Sequence, residues 1–169
     1  MTVAATRNCG RNSLYILLHL CGHDVRYKGV AAAVPVADRG TSLLELRDAA
    51  AQLGLPSTLH RWTMTELRAM REPVIVHLRR HSIVADGQSV GHYVVVLSVS
   101  AEDMVVLDSS FGRREVWDPD RFEKSYWTGG VLVPDRSTSA GSIMWVCLSA
   151  GWLAGGIFGI ASSRRPKVP

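Results

Sequence analysis

The chain has 169 residues, which is enough for one compact domain with a hydrophobic core and a short additional segment. Its net charge is +4, but its arginines are scattered among acidic residues without interleaved aromatic side chains, so nucleic-acid binding is not expected. The three cysteines, Cys9, Cys21 and Cys147, form no C-x-x-C pair, and so they indicate neither a disulfide framework nor a zinc cluster.

Two helices are predicted at the start of the chain. Leucines at helical spacing predict a helix over 13–20 that Gly22 stops, and Cys9 stands just before it. A shorter, weaker helix is predicted over 24–34. The apolar run after Cys9 carries Arg11, Asn12 and His19, which indicates a core helix and not a targeting segment.

Two capping boxes predict the next helices. Ser42 and Glu45 have the spacing in which each side chain binds the other residue's backbone, and the helix that they open runs to Leu53. Thr63 and Glu66 repeat the pattern and predict a helix of one or two turns. The first half of the chain is therefore predicted to be helical.

The second half of the chain is predicted to form strands. Its apolar runs are short, rich in valine and bounded by Gly, Asp and Ser, which is typical of strands in one antiparallel sheet. Helices followed by strands predict an α+β domain over residues 1–134, with the helices packed on the sheet. The predicted strands are 73–78, 92–99, 104–108 and 130–134.

A linker and an apolar segment follow the predicted domain. Residues 135–142 are a polar linker, and residues 143–161 contain no charged residue. Nineteen residues in a helix extend about 28 Å, which is close to the ~30 Å hydrocarbon core of a bilayer, so we expect a single transmembrane helix there. A buried helix of the domain is the alternative. Residues 162–169 form a basic tail.

The sequence of the expected membrane helix predicts a contact face, and the charges and segments around it bear on its orientation in the membrane. Gly151, Gly155 and Gly159 recur every four residues, a spacing that lets two such helices approach closely as a homodimer. The basic tail would place the C-terminus in the cytoplasm by the positive-inside rule. A cytoplasmic domain is nevertheless expected, because no signal-peptide-like segment precedes it.

Cys9, His92 and Asp108 are candidates for one chemical site. A thiol at a helix N-terminus is favoured as thiolate by the helix dipole, an imidazole can carry its proton, and a carboxylate can orient the imidazole. His92 opens one strand of a predicted hairpin and Asp108 closes the other, so both are expected at the same open end of the sheet. Taken singly, each has a simpler interpretation: a small residue at a helix start, a histidine at a strand edge and a strand terminator.

Six stretches of the chain occur in a characteristic order: NCGRNSLYILLHLCG, SLLELRDAAAQLGL, PVIVHL, GHYVVVL, VVLD and RFEKSYWTGGVLV. Over residues 7–134 they resemble the bacteriocin-processing peptidases, papain-like cysteine peptidases that cut leader peptides after a double glycine and usually belong to peptide-exporting ABC transporters. The resemblance implies a papain-like fold, no cofactor or metal, and Cys9, His92 and Asp108 as nucleophile, base and acid.

The chain departs from the family pattern around the expected oxyanion hole. The family's glutamine six residues before the cysteine is Val3 here, its aspartate before the cysteine is Asn8, and its proline after the acid is Ser109. Loss of one oxyanion donor costs on the order of 10²–10³ in rate. The backbone amides of Cys9 and Gly10 are expected to bind the oxyanion in its place.

Three functions remain open from the sequence. The resemblance implies a peptidase that cuts peptides at small residues, and the apolar segment 143–161 predicts that it is anchored in a membrane. The alternatives are a catalytically silent peptide-binding domain and an accessory subunit that presents peptides to a separate ABC transporter. The sequence contains no G-x-x-x-x-G-K-[ST] phosphate loop, so ATP binding by this chain is not expected.

Overall fold

A computed structural model describes residues 8–35, 40–79, 91–109 and 112–135. Among these residues three helices come first and two short helices lie between strands, and the antiparallel sheet with its helices confirms the predicted α+β class. The elements in chain order are α1 Cys9–Leu20, α2 Tyr27–Ala33, α3 Leu43–Gln52, β1 Ser57–Arg61, α4 Met64–Arg68, β2 Val74–Leu78, β3 His92–Val99, β4 Met104–Asp108, β5 Arg113–Trp117, α5 Pro119–Ser125 and β6 Trp127–Pro134.

The helix starts follow local side-chain chemistry. Both predicted capping boxes are present, with the backbone N–H groups of Ser42 and Thr63 each donating over 2.6 Å to the glutamate three residues later. Helix α1 begins at Cys9, four residues before the predicted start. The prediction missed this first turn because it lacks the leucine pattern of the rest of the helix. Cys9 is therefore part of the helix.

Six strands of the described residues form one antiparallel sheet in the order β1-β6-β2-β3-β4-β5. The four predicted strands are present, and β6 begins three residues before the predicted 130. The two strands without a sequence prediction, β1 and β5, are the edges of the sheet. Their polar sequences, STLHR and RREVW, lack the valine runs of the central strands.

Both faces of the sheet are covered. One cluster joins Leu14 and Leu17 of α1 to Ile75 and Val95 of the sheet. A second cluster on the other face contains Phe122 of α5. A strand that is buried on both faces needs apolar residues at successive positions, which explains the valine-rich sequences of β2, β3 and β4.

The predicted linker and membrane segment extend beyond these elements. No helix among the described ranges is both long and apolar enough to cross a bilayer. The predicted span 143–161, the tail 162–169 and the linker after Asp135 lie outside the described residues, as does Val3. Those expectations therefore stay predictions.

Candidate active site

Cys9 lies at the N-terminus of α1 and is almost fully buried, with 3% of its surface exposed. The Asn8 side chain does not cap the helix, and the first turn contains no acidic residue. The backbone N–H groups of the first turn have no acceptors within the helix. The positive end of the helix dipole is therefore directed to the position of the thiol.

Gly10 allows the start of α1 to pack closely on β3. A Cβ atom at Gly10 would lie 3.3 Å from the ring of Tyr93, which is tighter than ordinary packing. The Tyr93 hydroxyl donates to the carbonyl oxygen of Thr41 over 2.7 Å, so the ring is held in place. The Ser13 hydroxyl donates to the Tyr93 carbonyl oxygen over 3.2 Å, which fixes α1 on the same strand.

His92 and Asp108 form a buried pair at one end of the sheet. The β3–β4 register pairs Val95 with Leu107, which places Asp108 opposite Val94. Because side chains alternate along a strand, His92 projects from the same face as Val94. His92 Nε2 lies 3.1 Å from Asp108 Oδ1, and the two residues are only 4% and 5% exposed. The predicted placement at one end of the sheet matches this geometry.

Cys9 and His92 are neighbours although they come from different elements. The Cys9 side chain is near enough to the imidazole to contribute to raising the pKa of His92. Nδ1 of His92 is buried and has no partner at ordinary hydrogen-bond distance within the described ranges. The thiol therefore lies beside the ring without a short hydrogen bond, an arrangement that tightens in many enzymes when substrate binds.

The surroundings of His92 favour its protonated form. Burial lowers the pKa of the imidazole, but the hydrogen bonds and charges of Asp108 and Cys9 outweigh burial and raise the pKa from 6.5 to about 9. At neutral pH the ring is therefore an imidazolium that can donate a proton.

Ser109 connects the end of β4 to α1, a role that the sequence did not reveal. Its hydroxyl donates to the carbonyl oxygen of Cys9 over 3.2 Å and lies 3.3 Å from the Ser13 hydroxyl. The Asn12 side chain donates to the Ser109 carbonyl oxygen over 3.4 Å. These contacts span about a hundred residues of chain, and only the capacity of serine to hydrogen-bond could have suggested them.

His77 supports the backbone just before His92. Its Nδ1 lies 3.0 Å from the Thr128 hydroxyl, and a Cβ atom at Gly91 would collide with its Nε2. Burial and the positive charge of His92 lower the pKa of His77. His77 is therefore a neutral packing partner of Gly91.

A cavity of about 380 Å³ adjoins the His92–Asp108 pair. Both residues line it, and Trp117, Phe122 and Tyr126 contribute aromatic walls. The cavity lies between α5 and the ends of β2, β3 and β5.

Comparison with known proteins identifies relatives of this fold. A model of the Peptidase C39 family matches residues 2–139. No curated protein sequence matches the chain.

Three solved structures illustrate the likeness. A double-glycine motif protease from an AMS/PCAT transporter, in complex with a leader peptide, is 22% identical, with 75% of this chain and 82% of that chain covered and a TM-score of 0.62. The peptidase domain of Streptococcus ComA, a bifunctional ABC transporter involved in quorum sensing, is 24% identical, with 77% and 93% covered and a TM-score of 0.64. A C39-like peptidase from Bacillus anthracis is 14% identical, with 78% and 90% covered and a TM-score of 0.59. At these identities the likeness concerns the fold.

Proposed function

The chain belongs to the Peptidase C39 family, a family of cysteine peptidases, and we propose that it hydrolyses peptide bonds with the Cys9 thiol as nucleophile. In this proposal His92 transfers protons and Asp108 orients His92. The observation that carries it is the buried His92–Asp108 pair, 3.1 Å apart, beside a cysteine at a helix N-terminus.

The two ring nitrogens of His92 have different tasks in this mechanism. Nε2 is held by Asp108, which fixes the orientation of the ring. Nδ1 has no partner in the described chain and is the nitrogen that exchanges protons with thiol and substrate. In the attacking state of this mechanism the proton of Cys9 has passed to Nδ1 of His92, so that a thiolate lies beside an imidazolium.

Acylation consumes the proton of the imidazolium. The Cys9 thiolate attacks the carbonyl carbon of the scissile bond, and the carbonyl electrons move to oxygen. The backbone N–H groups of Cys9 and Gly10 stabilise that oxyanion. His92 then donates its proton to the departing nitrogen, the C–N bond breaks, and a thioester of Cys9 remains with a neutral imidazole.

Deacylation restores the starting state. Neutral His92 takes a proton from water as the water oxygen attacks the thioester carbonyl. The tetrahedral intermediate expels the Cys9 thiolate, which is again paired with the imidazolium. The carboxylic acid product loses its proton to solvent.

Family membership supports a peptide with a double glycine as substrate. One relative of this fold is a double-glycine motif protease solved with a leader peptide. Such a substrate presents no side chain on the acyl side of the cut, which suits a thiol that is 3% exposed. The bond cleaved in this proposal is the one after the second glycine.

The proposed location is a membrane. In this proposal residues 143–161 anchor the papain-like peptidase domain on the cytoplasmic side of the membrane. The anchored peptidase serves a separate ABC transporter. Two copies pair through the helix face that carries Gly151, Gly155 and Gly159. Apolar length and glycine spacing support it. Protease added to intact cells should leave the domain uncut, whereas digestion without lysis would refute the cytoplasmic side.

A catalytically silent peptide-binding domain is the second candidate, and Val3 favours it. The valine offers no side-chain donor where the family has an oxyanion-binding glutamine. Incubating the full chain with double-glycine peptides and analysing the products by mass spectrometry separates the two candidates. We expect cleavage after the second glycine that is abolished in Cys9→Ala. Peptide binding without cleavage would establish the silent domain.

A further inference from the structure

The cavity beside His92 and Asp108 has its own chemistry, and the mechanism above does not use it. On the basis of the proposed function, we propose that it is a subsite for the substrate residues that follow the scissile bond, and that it selects an apolar side chain next to an acidic one. The position, walls and charges of the cavity carry this assignment.

The position of the cavity indicates which part of the substrate enters it. His92 lines the cavity, whereas Cys9 is not among the described residues that do so. The acyl part of the substrate becomes bonded to Cys9, and the departing amine receives its proton from His92. The departing segment therefore leads away from Cys9 past His92, and in this proposal it continues into the cavity that His92 and Asp108 line.

The walls of the cavity suit a large apolar side chain. Leu78, Trp117 and Phe122 contribute apolar surface to the cavity, and Tyr126, which is 37% exposed, adds an aromatic ring. A volume of about 380 Å³ is within the usual range for ligand pockets of roughly 300–1,000 Å³.

The charges at the cavity complement an acidic residue. Arg79 and Arg121 line it, and neither guanidinium takes part in an ion pair with a described residue. The Asp118 carboxylate also lines the cavity; it caps α5 by accepting the backbone N–H groups of Asp120 and Arg121 over 2.8 and 3.1 Å, and it keeps its negative charge. Asp108 is paired with His92. The two arginines therefore leave one positive charge in excess, which attracts a carboxylate of the substrate, and reversing Arg121 would make the excess charge negative.

Binding to the full chain carrying Cys9→Ala tests the assignment without catalysis. Three acetylated, amidated peptides serve as probes: Gly-Gly-Leu-Glu-Ser-Gly, Gly-Gly-Leu-Lys-Ser-Gly and Leu-Glu-Gly-Gly-Ser-Gly. Each is titrated while the NMR signals of the Trp117 indole and the Tyr126 ring are followed. We expect the first peptide to bind about fivefold more tightly than the second, the effect of one exposed charge pair. The third should not shift these signals at the same concentrations.

Charge reversal provides the decisive comparison. Arg121→Glu should make the lysine peptide the tighter ligand, whereas Lys28→Glu, the same charge change on the exposed surface of α2, should leave the order unchanged. The subsite would be refuted if the glutamate and lysine peptides bound with equal affinity, or if Arg121→Glu left the order of their affinities unchanged. It would also be refuted if the third peptide shifted the Trp117 and Tyr126 signals, or if no peptide bound. An unreactive Cys9 in the wild-type chain would refute the peptidase while these binding results still decided the subsite.

Discussion

The Ser109 hydroxyl donates a hydrogen bond to the carbonyl oxygen of Cys9 over 3.2 Å, across a sequence separation of 100 residues. Ser109 directly follows Asp108, the last residue of β4, and Cys9 is the first residue of α1. The bond therefore joins the element that holds the proposed acid to the element that holds the proposed nucleophile. It is a positioning contact, because the serine acts through the backbone of Cys9.

Ser109→Ala should separate positioning from mere stability. Removing the hydroxyl should lower the free energy of unfolding by about 1 kcal/mol, the usual worth of a hydrogen bond. Looser placement of Cys9 should also lower kcat about three- to tenfold with little change in KM. Ser98→Ala, on the exposed side of β3, is the matched control. Lower stability with an unchanged kcat would show that Ser109 is only structural.

The pKa of His92 predicts the alkaline limit of activity. Its value of about 9 lies above the ordinary 6.5, so the protonated ring persists below pH 9 and is lost as the pH rises through 9. The rate constant kcat/KM should fall along that limb, and NMR titration of the ring should give the same midpoint. In Asp108→Asn both midpoints should move toward 6.5, since a charge that raises the pKa is removed. Midpoints that stay in place in the variant would contradict the assigned role of Asp108.

Gly91→Ala should disturb the backbone next to His92. The added methyl group would collide with His77 Nε2, so we expect a loss of about 1–3 kcal/mol in the free energy of unfolding. Gly29→Ala is the matched control, because nothing lies within 4 Å of its Cβ position, and within α2 it should be neutral or slightly stabilising.

A double-variant cycle tests the cause of that loss. His77→Ala removes the obstructing ring, so Gly91→Ala should cost less in its presence than in the wild-type chain. Urea denaturation of the four proteins gives the interaction free energy. Additive losses would mean that the collision with His77 is not the cause.

Alkylation should distinguish the cysteines. Burial and the negative charge of Glu72 raise the pKa of the Cys21 thiol to about 11, so at neutral pH it remains a poorly reactive thiol. In a Cys147→Ser chain, iodoacetamide should modify Cys9 first, as seen by peptide mass spectrometry. Substituting His92 by alanine should slow this reaction, whereas Cys21→Ala should not. Preferential labelling of Cys21 would contradict the role of Cys9 as the nucleophile.

The parts of the fold that depend on local chemistry could be predicted from the sequence. Capping boxes at Ser42 and Thr63 involve groups three residues apart, and the central strands are marked by valines buried on both faces. The hairpin that brings His92 to Asp108 follows from two adjacent strands and a short turn.

Other parts were missed for identifiable reasons. Strands β1 and β5 are edges whose exposed, polar residues carry no apolar pattern. Helix α5 was overlooked although Asp118 and Pro119 are a standard N-cap and first-turn pair. The contacts of Ser109 with Cys9 and Ser13 depend on how α1 packs against the sheet, and the sequence around these residues does not indicate that packing.

The strand order of the sheet also has a consequence for synthesis of the chain. Strand β6 lies between β1 and β2, and its register joins Ser57 to Pro134. Until residue 134 has left the ribosome, β1 has no partner in the described sheet and β2 has only β3. Pairing over such sequence distances slows folding. The nucleophile at residue 9 is thus made first, yet the sheet beneath it is completed by a strand made more than a hundred residues later, which delays the assembled site until the domain is almost entirely translated.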